Sequence, residues 1–325
     1  AVNTAAALGR RDDALEILAA TGLYGNIALR FEMLEWFVGL LDPAATTYGS
    51  VAEIKAYAGW AVLSNFRGDW ELAERLADAV VAAEPDLAEA AWAKSWLPYT
   101  RGDLDEARHW LDRVIDNPDP AAFAVKFGAY HTRSIIDFGD GRDIAEVAHL
   151  LDVLSVELGA TARSLALGTR ALDTMWTDGE STIADAEACI ELSDRYGLVN
   201  SSMTGRNIRA FALVLHGSVD QALEAVHDVE AYASERGLWH WALSGLGTAG
   251  GAFERAGRVD VAVTVLGARA AAYYRAGFST RFALLQEDRL RREHPDNFEG
   301  WWAAGLQLTP AEAAAFVITT ANSLL

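Results

Sequence analysis

The stretch Gly68-Asp69-Trp70-Glu71-Leu72-Ala73-Glu74-Arg75-Leu76-Ala77-Asp78-Ala79-Val80-Val81-Ala82-Ala83-Glu84-Pro85 decides the fold. Gly68 suits the left-handed C′ position that ends a helix, and Asp69 and Glu71 favour the N-terminus of the next one. Leu72, Ala73, Leu76, Ala77, Val80 and Val81 then recur with the period of an amphipathic helix, and Pro85 stops it. A further helix is predicted over 87–101. Gly102-Asp103-Leu104-Asp105-Glu106-Ala107 then repeats the motif, carrying Leu104, Ala107, Leu111 and Val114 on one stripe as far as Pro118. The element order is helix, turn, helix, turn. No sustained period-2 run of β-branched residues bounded by turn signals interrupts it, so a sheet is not expected.

Working outward, the pattern Gly-x-x-acid-x-Ala recurs at Gly9-Asp12-Ala14, Gly217-Asp220-Ala222 and Gly257-Asp260-Ala262. Weaker copies sit at Gly179-Thr182-Ala184 and around Asp140 to Ala145. From Gly68 the successive spacings to Gly102, Gly141, Gly179, Gly217 and Gly257 are 34, 39, 38, 38 and 40 residues, each the length of one helical hairpin. The unit resembles the tetratricopeptide repeat, most closely over 68–85 and 102–118. Later units are longer and lose the terminal proline. The expected fold is all-α, a right-handed superhelix of seven or eight antiparallel hairpins.

A narrower resemblance lies near the C-terminus, in Val265-Leu266-Gly267-Ala268-Arg269-Ala270, in Phe298-Glu299-Gly300-Trp301-Trp302-Ala303-Ala304-Gly305 and in Leu308-Thr309-Pro310-Ala311-Glu312-Ala313. It is similar to the tail of large actinobacterial signalling ATPases of MalT-like or LuxR-type organisation. That resemblance implies a long helical-repeat arm that receives the signal for upstream modules of the same parent protein. The chain has no Gly-x-x-x-x-Gly-Lys-Ser/Thr phosphate cradle, so the nucleotide-binding part of that family is not represented.

The chain has 325 residues, 51% of them apolar, and a net charge of −19 from 27 Lys+Arg against 46 Asp+Glu. Such an acidic balance argues against direct nucleic-acid contact, which clustered cations carry, and only Lys55, Lys94 and Lys126 are lysines. It keeps a many-faced repeat protein in solution, or attracts a basic partner. No apolar run reaches the length of a membrane span, nothing marks export, and the single Cys189 forms no internal disulfide, so a cytoplasmic location is expected. The chain opens without methionine and inside a repeat-like pattern, as a piece of something longer would.

Boundaries follow from breaks in the pattern. The turn formers at 42–49, after a helical stretch at 27–41, set off 1–49 as an atypical N-terminal repeat region, and Ser50-x-x-Glu53 opens the next helix as a capping box. The repeats occupy 50–293. The segment 294–325 is expected to cap them, with Thr309, Pro310 and Glu312 supplying the N-cap, N1 proline and capping-box acid of a closing helix that covers the last hairpin.

No catalytic constellation is legible. His109, His131, His149, His216, His227, His240 and His294 form no zinc-binding pair and are expected at the surface or at helix ends. Gly139-Asp140-Gly141-Arg142-Asp143 resembles a calcium loop without its further ligands and reads as an inter-helix turn. Gly245-x-Gly247-x-x-Gly250 carries the letters of a dinucleotide fingerprint but no preceding strand, so close helix packing accounts for it. Cys189 reads as a small buried apolar residue. Neither enzyme nor cofactor is expected; a helical toroid enzyme would need a deep carboxylate or histidine cluster.

The binding signal is aromatic. Trp92, Trp96 and Tyr99 share one face of a predicted first helix, Lys55 and Asn65 lie on the neighbouring one, and Phe127, Tyr130, Asn207 and Phe211 follow along the series. Aromatics mixed with a few polar heads suit a groove for a small effector or a peptide, and the same stripe suits a core. Pro98 interrupts that helix and bears on which face looks inward. In Trp239-His240-Trp241 and Trp301-Trp302, neighbouring side chains point about 100° apart, so at least one ring of each cluster is expected outside the core. Two functions follow. One is a non-catalytic sensor or protein-binding arm of a transcriptional or signalling regulator, in which an effector or partner selects one curvature of the superhelix. The other is a constitutive interaction or oligomerisation scaffold.

Overall fold

The computed structural model describes residues 1–271 and 280–325, leaving aside the side chains at 23, 24, 27, 157, 280 and 281. Among the described residues there are eighteen α-helices, one 3-10 turn and no strand. Two compact units divide them: unit 1 holds 1–133 with 197–200, and unit 2 holds 134–196 with 201–325. No helix of the described residues is long and apolar enough to cross a membrane.

Unit 1 contains α1 (Val2–Ala7), α2 (Arg11–Ala28), α3 (Met33–Leu40), α4 (Val51–Arg67), α5 (Trp70–Ala83), α6 (Ala88–Arg101) and α7 (Leu104–Ile115). The turn Pro120–Ala122 follows, and the division between the units falls within α8 (Phe123–Gly139). The repeat physics is visible at Gly68 and Gly102, whose φ values of +93° and +78° end α4 and α6 in the left-handed region. α4 packs on α2, α5 and α6 and is buried almost all round, whereas α5 and α7 bury one stripe, including Leu76, Val80, Leu111 and Val114. Alternation of enclosed first helices with amphipathic second helices is how a row of hairpins makes one continuous core.

Local chemistry sets the entry to α4. Ser50 caps the helix by accepting the Glu53 amide at 3.2 Å, and the Glu53 carboxylate accepts from the Gly49 amide at 2.7 Å and from Arg11 Nη2 at 2.6 Å. Burial raises the Glu53 carboxyl, but the hydrogen bonds from Arg11 and Gly49 outweigh it and hold the group below its ordinary value. A carboxyl lowered in the fold contributes stability that is present at neutral pH and is lost as pH falls below the ordinary carboxylate range. Glu53→Gln is therefore expected to cost about 2 kcal/mol at neutral pH and almost nothing in acid, read from urea unfolding at both pH values.

The helix expected over 27–41 is two helices. Leu29 takes a left-handed φ of +46°, α2 ends there, and α3 begins at Met33. Pro98 does not end α6, which runs on to Arg101.

Unit 2 contains α9 (Ala145–Leu158), α10 (Ala160–Thr174), α11 (Gly179–Tyr196), α12 (Val199–His216), α13 (Val219–Arg236), α14 (Trp239–Arg255), α15 (Val259–Ala271), α16 (Thr280–Glu293), α17 (Pro295–Gly305) and α18 (Pro310–Leu324). The glycines of the motif diverge here. Gly141 and Gly257 are left-handed, but Gly179 and Gly217 are not, and Gly159, Gly197 and Gly237 take that conformation instead. Gly245, Gly247, Gly250 and Gly251 lie within α14, enclosed on all sides, where a Cβ at Gly250 would meet Leu266 at 3.1 Å and one at Gly251 would meet Val214 at 2.9 Å. Helix packing, not a phosphate loop, uses these glycines.

The chain end turns back. α17 packs on α15, and α18 packs chiefly on α13 and α14 instead of on the last hairpin. Thr309 and Glu312 form the reciprocal capping box at the start of α18, with Pro310 at its first position. Trp239, Trp301 and Trp302 are half-buried while Trp241 is buried.

Candidate functional site

Small residues create the hollow that stands out in unit 1. At Gly59 a Cβ would lie 3.7 Å from the Gly22 Cα, so α2 and α4 run close together; at Gly128 it would lie 3.3 Å from Trp92 Cη2, seating α8 on the indole. Between these helices remains a cavity of about 210 Å³ walled by alanines, glycines and Val125, with Asn26, Lys55, Glu89 and Trp92 as its polar-bearing residues.

Lys55 Nζ and Glu89 Oε1 pair at 2.8 Å, half-buried. Their positions differ by 34, the period separating Gly68 from Gly102, so they are equivalent residues on successive first helices. Asn26 Oδ1 and Trp92 Nε1 are buried without a hydrogen-bond partner among the described residues. Buried polar atoms are normally satisfied, and an unmet acceptor and an unmet donor lining one cavity mark it as a place for a ligand or ordered water. The cavity thus offers a cation, an anion, an acceptor and a donor between apolar walls.

The aromatic row continues from it. Trp92 and Trp96 are edge to face at 5.1 Å, Trp96 and Tyr99 at 5.8 Å, and Phe66 lies 4.7 Å from Trp96. Asn65 Nδ2 donates to Thr100 Oγ1 at 3.1 Å and supports the row from α4. Of the residues singled out by sequence, Lys55 and Trp92 line the cavity, while Asn65, Trp96 and Tyr99 pack behind it. Phe127 is buried and Tyr130 half-buried on α8, and neither lines the cavity. Asn207 and Phe211 belong to unit 2, both fully buried. Sequence reasoning missed Glu89, which the 34-residue offset from Lys55 would have found, and Asn26, which no repeat signal marks.

A larger hollow of about 700 Å³ lies among the loops from Pro85 to Asp119. Two of its polar side chains tie its loops together: Arg113 Nη2 donates to the Pro85 carbonyl at 2.6 Å and Asn117 Nδ2 to the Asp86 carbonyl at 2.8 Å. Loop closure accounts for it.

Other reactive types are set apart. Among the described residues no group of three or more His, Cys, Asp or Glu converges to hold a metal. Cys189 is fully buried in α11, and burial pushes its thiol up to about 12, which makes it inert. Of the histidines, expected at the surface or at helix ends, His240 is at the start of α14 but buried, and His131 is buried within α8, so that burial lowers them to about 3 and about 4. In comparisons with known proteins, no family model, no curated protein and no solved structure matches this chain.

Proposed function

We propose that the chain is the ligand-receiving helical-repeat arm of a multidomain regulator, and that the cavity between α2, α4, α6 and α8 takes a small zwitterion of the amino-acid class. The observation that carries this reading is the pair of buried atoms without partners, Asn26 Oδ1 and Trp92 Nε1, in a cavity that also holds the ion pair of Lys55 and Glu89. An ammonium group matches Glu89 and Asn26, a carboxylate matches Lys55 and Trp92, and alanine walls suit a short aliphatic body. Ligand entry exchanges the ion pair for two pairs to the ligand, so the spacing of α4 and α6 becomes sensitive to occupancy. A right-handed superhelix of these hairpins would convert that local spacing into a change of curvature that upstream modules read in the cytoplasm. Support for the arm is the row of alternating enclosed and amphipathic helices.

Titration of the chain with individual amino acids, followed by calorimetry, tests the reading. Asn26→Leu conserves volume and removes the unmet acceptor, so it is expected to hold or raise the melting temperature while weakening binding at least tenfold, a loss of about 1.4 kcal/mol. Glu89→Gln is expected to weaken binding similarly. Binding unchanged in both variants would place the ligand elsewhere.

The constitutive scaffold is favoured by one feature, the apolar surface of α9, where Leu150, Val153, Val156 and Leu158 are exposed, Val156 by 76%. A concentration-dependent dimer that Val156→Glu dissolves would support that second reading.

A further inference from the structure

Unit 2 holds a second hollow of different chemistry, independent of the cavity in unit 1. Four aromatic rings follow one another around it. Phe138 and Trp176 stack at 5.7 Å, Trp176 meets Phe211 edge to face at 5.8 Å, and Phe211 meets Phe282 at 5.1 Å and 71°. With Gly139, Gly141 and Leu285 they enclose about 250 Å³, and among the described residues no charged side chain lines the space. Gly251 makes room for the fourth wall, since a Cβ there would lie 3.0 Å from Phe282 Cε1. Packing does not finish the job. Trp176 remains 56% exposed and Leu285 60% exposed, so the hollow opens to solvent and leaves an indole there.

The rim is acidic. Asp140 sits in the turn between the two lining glycines, Asp143 follows it, and Asp173, near the end of α10, lies three residues before Trp176. Asp173 is held above its ordinary value by burial and by the negative charge of Asp143, so these two acids are near neighbours. The cation of this turn, Arg142, is 3.8 Å from Asp137.

We propose that the aromatic hollow of Phe138, Trp176, Phe211 and Phe282 binds a quaternary or fully alkylated ammonium group. An aromatic face carries negative quadrupole density and attracts a soft cation that needs no hydrogen bond, which suits walls made mainly of aromatic rings and a leucine. Carboxylates at the rim and a chain charge of −19 favour a cation over a neutral apolar guest of the same shape.

Calorimetric titration of the full chain with choline and with its neutral isostere, 3,3-dimethylbutan-1-ol, separates charge from shape. Choline is expected to bind at millimolar or lower concentration, at least about tenfold more tightly than the isostere, and to weaken with added salt. Trp176→Leu keeps an apolar wall at an exposed position and is expected to reduce choline binding about tenfold, with the melting temperature checking its fold. Equal or tighter binding of the isostere, no choline binding at millimolar concentration, or an unchanged affinity in folded Trp176→Leu would overturn the proposal.

Discussion

Replacing Gly305 with alanine is expected to lower the melting temperature of the chain by about 10 °C, from an overpacking cost of about 3 kcal/mol in a unit of this size. Gly305 ends α17 where that helix lies on α15. A Cβ there would overlap the Thr264 carbonyl oxygen and lie 2.8 Å from the Ala268 amide nitrogen. The reciprocal position, Gly267, would place its Cβ 2.6 Å from the Trp302 carbonyl oxygen. These are backbone atoms, so no side-chain rotation relieves the contact and the two helices must separate. Separation also strains the hydrogen bond that Thr264 Oγ1 donates to the Trp301 carbonyl at 3.3 Å. Gly300 is the internal control: it lies in the same helix, and its Cβ would meet nothing within 4 Å. Gly300→Ala is expected to stabilise by up to about 1 kcal/mol, because alanine is the better helix former. Opposite signs for two glycines of one helix, measured by thermal unfolding, would separate packing from propensity.

Glu230→Gln is expected to raise the melting temperature by about 5 °C at pH 8 and to leave it unchanged at pH 4. Glu230 is fully buried in α13, and neither carboxylate oxygen has a hydrogen-bond partner among the described residues. Its Oε1 and the Asn207 Oδ1 flank the same bare backbone, at 2.6 Å and 3.4 Å from where a Cβ on Gly245 would sit. Burial pushes the carboxyl well above its ordinary value of 4.5. The folded chain therefore holds that proton to higher pH than the unfolded chain does. Stability from this group is complete below the ordinary value and is lost as pH rises toward the folded one. Glutamine keeps a donor for Asn207 and carries no charge, so the gap between variant and parent should open steadily with pH. A constant gap would mean that the folded and unfolded chains hold this proton equally well, as they would with a cation beside Glu230.

Sequence reading went furthest where one residue type carries one physical task. Gly68 and Gly102 end helices because little else takes a positive φ cheaply, and the Thr309 capping box starts α18 because its atoms are local. It went less far where the cause is tertiary. Gly217 matches the motif by letter and Gly179 all but the acid, yet Gly179 is the first residue of α11, and a Cβ on Gly217 would meet the Leu213 carbonyl oxygen at 2.9 Å. A capping box says where α18 begins and nothing about its landing on α13. Lys55 and Trp92 were legible as face residues, but the cavity they share needs Asn26 from an atypical N-terminal helix and the small residues that let α2 approach α4. Phe211 was legible as an aromatic position, whereas Trp176 and Phe282, its neighbours in space, stand 35 and 71 residues away and share no helix with it.

Native mass spectrometry of the purified chain, after incubation with a mixture of the standard amino acids and set against its denatured mass, tests the central claim most directly. The account predicts a retained adduct of amino-acid mass on the parent and its absence on Asn26→Leu. A parent without an adduct, or the same adduct on both proteins, would contradict it.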